Sequence, residues 1–122
     1  MKLLVTGGAG FIGSNITNTL SRDKNATVVA FDALSLGTPT NLSCDVKFVE
    51  VVRGCDYIIH SAAKSSSPMF KDDPRKGVDI NALGFMNVVE SAKRNHVKKV
   101  IFASSSSVYN GLPIPFIESQ II

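Results

Sequence analysis

Lys2-Leu3-Leu4-Val5-Thr6-Gly7-Gly8-Ala9-Gly10-Phe11-Ile12-Gly13-Ser14 is the stretch on which the fold turns. Lys2 to Thr6 is a short apolar run rich in Leu and Val, as in a strand buried on both faces, and it ends in the loop Gly7-Gly8-Ala9-Gly10. Phe11 to Leu20 then carries Ile12, Ile16 and Leu20 at i, i+4 and i+8, one apolar stripe of a helix. Outward from there, Ala26–Phe31 reads as a second strand ending at Asp32, and Leu34–Ser43, with its Ser, Gly, Thr, Pro and Asn, reads as a loop. Val46–Val51 and Tyr57–His60 read as a third and a fourth strand. Lys76–Asn95 has Val78, Leu83, Met86, Val89 and Ala92 near helical spacing, with Pro74 just ahead, where a helix entry tolerates proline. Val100-Ile101-Phe102-Ala103 is a fifth strand running into four serines. Strands alternating with helices predict an α/β fold, a doubly wound parallel sheet whose nearly all-apolar strands are covered by helices on both faces.

Composition agrees with one globular domain. The 122 residues are 44% hydrophobic and 19% charged, with 13 Lys+Arg against 10 Asp+Glu for a net charge of +3. That length buries a core without disulfide or metal staples, and the apolar content excludes disorder. No apolar run reaches the roughly 18–20 residues of a membrane-spanning helix, and Met1–Val5 meets a glycine loop too early for a signal peptide. A soluble cytoplasmic protein is the expectation. Arg94, Lys98 and Lys99 cluster, but Asp72, Asp73 and Glu90 lie nearby, so a solvated helix end is favoured over a nucleic-acid surface. Cys44 and Cys55 form no CxxC and join no Cys/His cluster, so two reduced thiols are expected and no metal site.

One connection is too short. In a sheet ordered 3-2-1-4-5 the chain must pass from strand three to strand four, about 14 Å sideways and about 17 Å back along the strand. Val51–Cys55 spans about 20 Å at full extension, against a direct displacement of roughly 22 Å that also ignores the path around the sheet. Val51-Val52-Arg53-Gly54 resembles the last turn of a crossover helix with glycine at its C-terminal cap. Some ten to fifteen residues are therefore missing relative to an ordinary crossover unit. In a continuous chain, Val46–Glu50 should not form an ordinary third parallel strand.

Gly7, Gly10 and Gly13 recur every third residue, and Gly8-Ala9-Gly10-Phe11-Ile12-Gly13 satisfies G-x-G-x-x-G between a strand and a helix. Binding a pyrophosphate needs a tight turn, backbone without Cβ for close approach, and a helix N-terminus whose free N–H groups face the anion. Nineteen residues after Gly13, at the end of the second strand, Asp32 can accept hydrogen bonds from ribose hydroxyls. It would repel a phosphate on that ribose, so NAD is expected over NADP.

With those residues in place the chain resembles the extended short-chain dehydrogenase/reductases, specifically the NAD-dependent nucleotide-sugar epimerase/dehydratase family. The matching segments are Thr6–Ser14, Asp32-Ala33-Leu34-Ser35-Leu36-Gly37, His60-Ser61-Ala62-Ala63, Asp79-Ile80-Asn81-Ala82-Leu83-Gly84 and Ser104-Ser105-Ser106-Ser107-Val108-Tyr109, in the family's order. The resemblance implies a Rossmann-type NAD-binding domain over residues 1–122, incomplete, with Gly7, Gly10, Phe11, Ile12 and Gly13 at the pyrophosphate. It puts Asp32, Leu34 and Ser35 along the adenosine end and Ala62, Ala63 and Ser65 toward the nicotinamide half. Small residues after His60 make physical sense, since a ring lies on backbone only where side chains are short. Asn81 would help order the site, and His60 reads as a packed strand-end histidine. Ser105, four residues before Tyr109, matches the family's catalytic Ser/Thr, which hydrogen-bonds the sugar hydroxyl undergoing oxidation.

The resemblance further implies hydride removal from C4 of a UDP-sugar through a 4-keto intermediate, with homodimer formation through helices such as Lys76–Asn95. Ser106-Ser107 stand where dehydratases of the group carry an acidic pair, which tilts the reading toward an epimerase. Asn110 replaces the usual glycine after Val-Tyr, a mild departure. The Tyr-x-x-x-Lys pair is absent, since neither Tyr57 nor Tyr109 has a lysine four residues on, and so are the sugar-nucleotide domain and the Asp that contacts adenine in relatives. The 122 residues alone are expected to be inactive. A non-catalytic dinucleotide-binding module of the same fold is the alternative.

Overall fold

Leu3 to Thr6 are all buried, so β1 (Lys2–Thr6) must have neighbours on both edges and cover on both faces. The computed structural model, which describes residues 1–34, 37–41, 47–48, 52–64 and 71–120, gives it both. β1 pairs in parallel with β2 (Thr27–Phe31) on one side and β4 (Tyr57–His60) on the other. β3 (Lys47–Phe48) extends the sheet beyond β2 and β5 (Lys99–Phe102) beyond β4, giving the order β3-β2-β1-β4-β5, all parallel. This is the doubly wound order, and it gathers the C-terminal ends of the strands on one edge.

Alternation along β1 divides the core. Leu3, Val5 and Val28 point to the face covered by Ile16 and Leu20 of α1 (Phe11–Leu20). Leu4, Val29 and Ile58 point to the opposite face, where they meet Val88 and Ala92. Those two residues belong to a helical rod made of α2 (Pro74–Val78), a π-helical turn over Asp79–Leu83, and α3 (Gly84–Arg94). Asp73 caps the rod, accepting a hydrogen bond from the Lys76 N–H at 3.0 Å. At the N-terminal edge of the sheet Asp56 accepts from the Lys2 backbone N–H and from the Lys98 ammonium, both at 2.8 Å. The Lys98 contact first, then the Lys2 N–H, holds its carboxyl below the ordinary carboxylate range.

Three expectations need correction. Of the expected third strand Val46–Val51, Lys47–Phe48 pair in parallel with Val29 and Ala30, a pairing that the short connection was expected to preclude, and the other four residues lie outside the described residues. Phe48 lies level with Ala30, Val5 and Ile59, so the return to Cys55 is only about 13 Å along the strands rather than a full strand length. The direct displacement falls to roughly 19 Å, within the roughly 23–25 Å that Phe48–Cys55 can span. Gly54, at φ +73, ends that path in a turn closed by the Cys55 N–H on the Val52 carbonyl.

Of the apolar stripe expected for the long helix, Ala92 is buried but Val78, Leu83, Met86 and Val89 are exposed. The inward line is Gly77, Asn81, Phe85, Val88 and Ala92, spaced 4, 4, 3 and 4, whereas the expected stripe, spaced 5, 3, 3 and 3, drifts off that face. Cover on both faces also fails at β5, where Ile101 is 49% and Phe102 52% exposed. α1 packs over β1 and β2, at the other side of the sheet from β5.

Candidate functional site

The loop between β1 and α1 is shaped by contacts that tolerate no side chain. Gly7 has φ +69, and a Cβ there would stand 2.8 Å from the Ala62 backbone nitrogen. A Cβ on Gly13 would stand 2.0 Å from the Gly7 carbonyl oxygen, so α1 starts in direct contact with the loop it follows. The Gly10 N–H donates to the Gly7 carbonyl at 3.1 Å and the Gly8 N–H to the Phe31 carbonyl at 3.2 Å. Gly10 caps α1 with no side-chain hydrogen bond, and a Cβ on it would meet only the Gly7 oxygen, at 3.3 Å. The N–H groups of Phe11, Ile12 and Gly13 therefore open, with no capping side chain, a hollow at the positive end of a ten-residue helix whose Phe11 and Ile12 side chains are exposed.

Asp32 stands beside that hollow. One carboxylate oxygen accepts from the Ala9 N–H at 3.0 Å, the other from the Leu34 N–H at 2.8 Å, with Leu34 turned to φ +54. A carboxylate offers about four lone-pair sites, so two acceptor positions remain. The segment beyond returns over the glycine loop, where the Ala9 carbonyl accepts from the Thr38 N–H at 3.2 Å and the Asn41 carboxamide at 2.8 Å.

The remaining residues line the same edge. Ser61 donates its hydroxyl to the Thr6 carbonyl at 2.7 Å, which fixes the start of the Ser61–Lys64 loop against β1. Asn81, on the π turn, accepts from the Lys64 N–H at 2.8 Å and donates to the Lys64 carbonyl at 2.9 Å. Both ends of its carboxamide are thus engaged by backbone, and it orders the Ala62–Ala63 loop rather than presenting a side-chain donor itself. His60 is 3% exposed, with Nδ1 2.6 Å from the Thr6 hydroxyl and its ring packed on Phe85 and Phe102. Burial pushes its pKa below the ordinary 6.5, which fits a packed strand-end histidine. Ser105 lies just past β5, exposed, its hydroxyl accepting from the Ser107 N–H at 3.2 Å. Ser35 and Ser65, also expected at the site, and Cys44 lie outside the described residues.

Residues 3–121 match the model of the NAD dependent epimerase/dehydratase family. The chain belongs to that family. A UDP-glucose 4-epimerase of Mycolicibacterium smegmatis is 33% identical to this family member over 137 positions, covering 98% of the chain and 44% of the relative. The solved UDP-N-acetylglucosamine 4-epimerase of Methanobrevibacter ruminantium M1 superposes with a TM-score of 0.82 at 32% identity, over 98% of the chain and 43% of its own. The UDP-glucose 4-epimerase of Thermus thermophilus, solved with NAD, gives 0.77 at 32%, over 86% and 38%. The chain thus spans about two fifths of the length of the epimerases it matches. Since 98% of 122 residues fill 137 aligned positions, the M. smegmatis enzyme has about seventeen positions with no counterpart in this family member. That shortfall is of the size a missing crossover helix requires.

Sequence reading missed Thr38, Asn41 and the Thr6–His60 hydrogen bond. Asn41 sits in a stretch whose composition says only loop, and its bond to Ala9 exists because the chain doubles back 32 residues later. No spacing rule links the two. Thr6 and His60 could have been paired by noting that both end parallel strands that the topology makes neighbours.

Proposed function

We propose that the chain is the NAD-binding part of a nucleotide-sugar 4-epimerase. One observation carries the reading: a helix N-terminus with no side-chain cap opens beside a carboxylate that keeps two acceptor positions. Phosphates fit the first and ribose hydroxyls the second. The N–H groups of Phe11, Ile12 and Gly13 bind the pyrophosphate, and Gly7 and Gly10 leave it room. Asp32, with Leu34 and Ser35, takes the adenosine ribose and disfavours a 2′-phosphate. Ala62 and Ala63, with Ser65, give the nicotinamide half a surface of backbone and methyl groups, held in place by Asn81 through Lys64. When bound, NAD supplies the hydride acceptor and donor for C4 of a UDP-sugar. Ser105, exposed past β5, hydrogen-bonds the sugar hydroxyl.

No Tyr-x-x-x-Lys occurs in the 122 residues, and this favours binding without turnover by this stretch of chain. Calorimetric titration with NAD and NADP is the test. Saturable NAD heat with weaker or no NADP binding is expected, and tighter NADP binding would overturn the role of Asp32. UDP-sugar epimerisation assayed on the same polypeptide should show no turnover; measurable turnover would refute the separation of binding from catalysis.

A further inference from the structure

We infer that Asn41 is a positioning residue for the dinucleotide, the buckle of a strap that holds the phosphate loop in its binding shape. The inference rests on the NAD-binding reading above and concerns a residue that touches no part of the hollow itself. Ala9 is completely buried at the crest of the glycine loop, and its peptide groups are gripped from both sides. Asp32 takes its N–H at 3.0 Å, while Thr38 and Asn41 donate to its carbonyl at 3.2 and 2.8 Å. Gly37 lies so close that a Cβ on it would stand 2.8 Å from the Ala9 carbonyl carbon and 3.0 Å from the Gly10 nitrogen. The strap closes on itself through the Asn41 N–H to Thr38 carbonyl bond at 3.0 Å. It is tied to α1 by the Asn18 carboxamide, which donates to the Asn41 carbonyl at 2.8 Å.

The physical consequence follows from peptide planarity. Fixing the Ala9 carbonyl fixes the plane of the Ala9–Gly10 peptide, and with it the entry of the chain into α1. Since Gly10 has no side-chain cap to set that entry, the strap does the work a capping residue does elsewhere. Releasing it lets the first-turn N–H groups lose their common direction, so the pyrophosphate finds them less well organised. Asp32 holds the N–H of the same Ala9 whose carbonyl the strap holds, so ribose acceptor and phosphate donors share one support.

The test compares the full chain with Asn41→Ala. NAD affinity by calorimetry should fall about fivefold to tenfold, the worth of one neutral hydrogen bond. Amide exchange by NMR should quicken at Ala9 and Gly10 while Leu4, Val29 and Ile58 keep their protection. Uniform quickening through the sheet would make Asn41 merely a structural residue and overturn the inference. So would unchanged NAD affinity in a folded variant. A wild-type chain that binds no NAD would instead sink the underlying reading, and this inference with it. If Asn41→Ala fails to fold by circular dichroism, Asn18→Ala decides: a smaller loss of NAD affinity in the same direction supports the strap, and no loss overturns it.

Discussion

The two ends of the sheet differ in how far each is finished. At β1 and β2 the strands are buried on both faces, the phosphate loop is stitched to β2, β4 and the returning strap, and almost every close contact is backbone on backbone. At β5 the strand is flanked, among the described residues, by β4 alone, Ile101 and Phe102 are half-exposed, and the Ser104–Gln120 segment is exposed along most of its length. The glycine-loop half of the candidate site therefore stands on structure that the chain supplies for itself, whereas Ser105, proposed for the catalytic end, lies past a strand with little cover. The proposed separation of binding from turnover follows that contrast.

Mutations can break that contrast. The largest effect is expected from Ile58→Ala at the fully buried centre of the sheet, about 2–5 kcal/mol of stability by denaturant melts. Gly13→Ala comes next: the added methyl would stand 2.0 Å from the Gly7 oxygen, costing about 1–3 kcal/mol and abolishing NAD heat in calorimetry. Thr17→Val should raise stability by about 1 kcal/mol, because the Thr17 hydroxyl is buried with no hydrogen-bond partner among the described residues. Ile101→Thr, at the unfinished end, should stay within about 0.5 kcal/mol of wild type. A large loss there would mean that something covers β5 in solution.

Acid should sharpen the same comparison. Burial lowers the pKa of His60 in the folded chain, so below the ordinary 6.5 the unfolded chain binds the extra proton first. Stability should therefore decline as pH falls from 6.5, and His60→Gln should flatten that slope in denaturant melts between pH 5 and 7. A second decline belongs to Asp56, whose lowered pKa contributes stability above its ordinary 3.8 that is lost as pH falls through the folded value.

The fold was readable because its deciding signals are local. Strand, glycine loop and helix sit within twenty residues, and Asp32 closes the unit one strand later. What escaped was set by geometry between distant segments. Lys47–Phe48 pair with β2 despite the short path to β4, in a register that the residue count alone does not give. The stripe of the long helix was misassigned because Val78, Leu83, Met86 and Val89 step by five, three and three residues, a spacing that drifts off the inward face set by Gly77, Asn81, Phe85, Val88 and Ala92. Of the site, the glycines and Asp32 were legible from residue type and spacing. The work of Asn41 and the exact partner of Asn81 depend on which backbone groups the folded chain brings opposite them.

The π turn at Asp79–Leu83 has a genetic consequence. Such a turn holds one residue more than a regular helix needs, and each α-helical residue turns the chain by about 100°. Loss of a single codon swings everything beyond it by about 100° in a regular α-helix, but here the surplus residue absorbs it, so a frame-preserving deletion that spares Asn81 would leave Phe85 facing His60. The rod therefore tolerates at this one turn a change that regular helices do not.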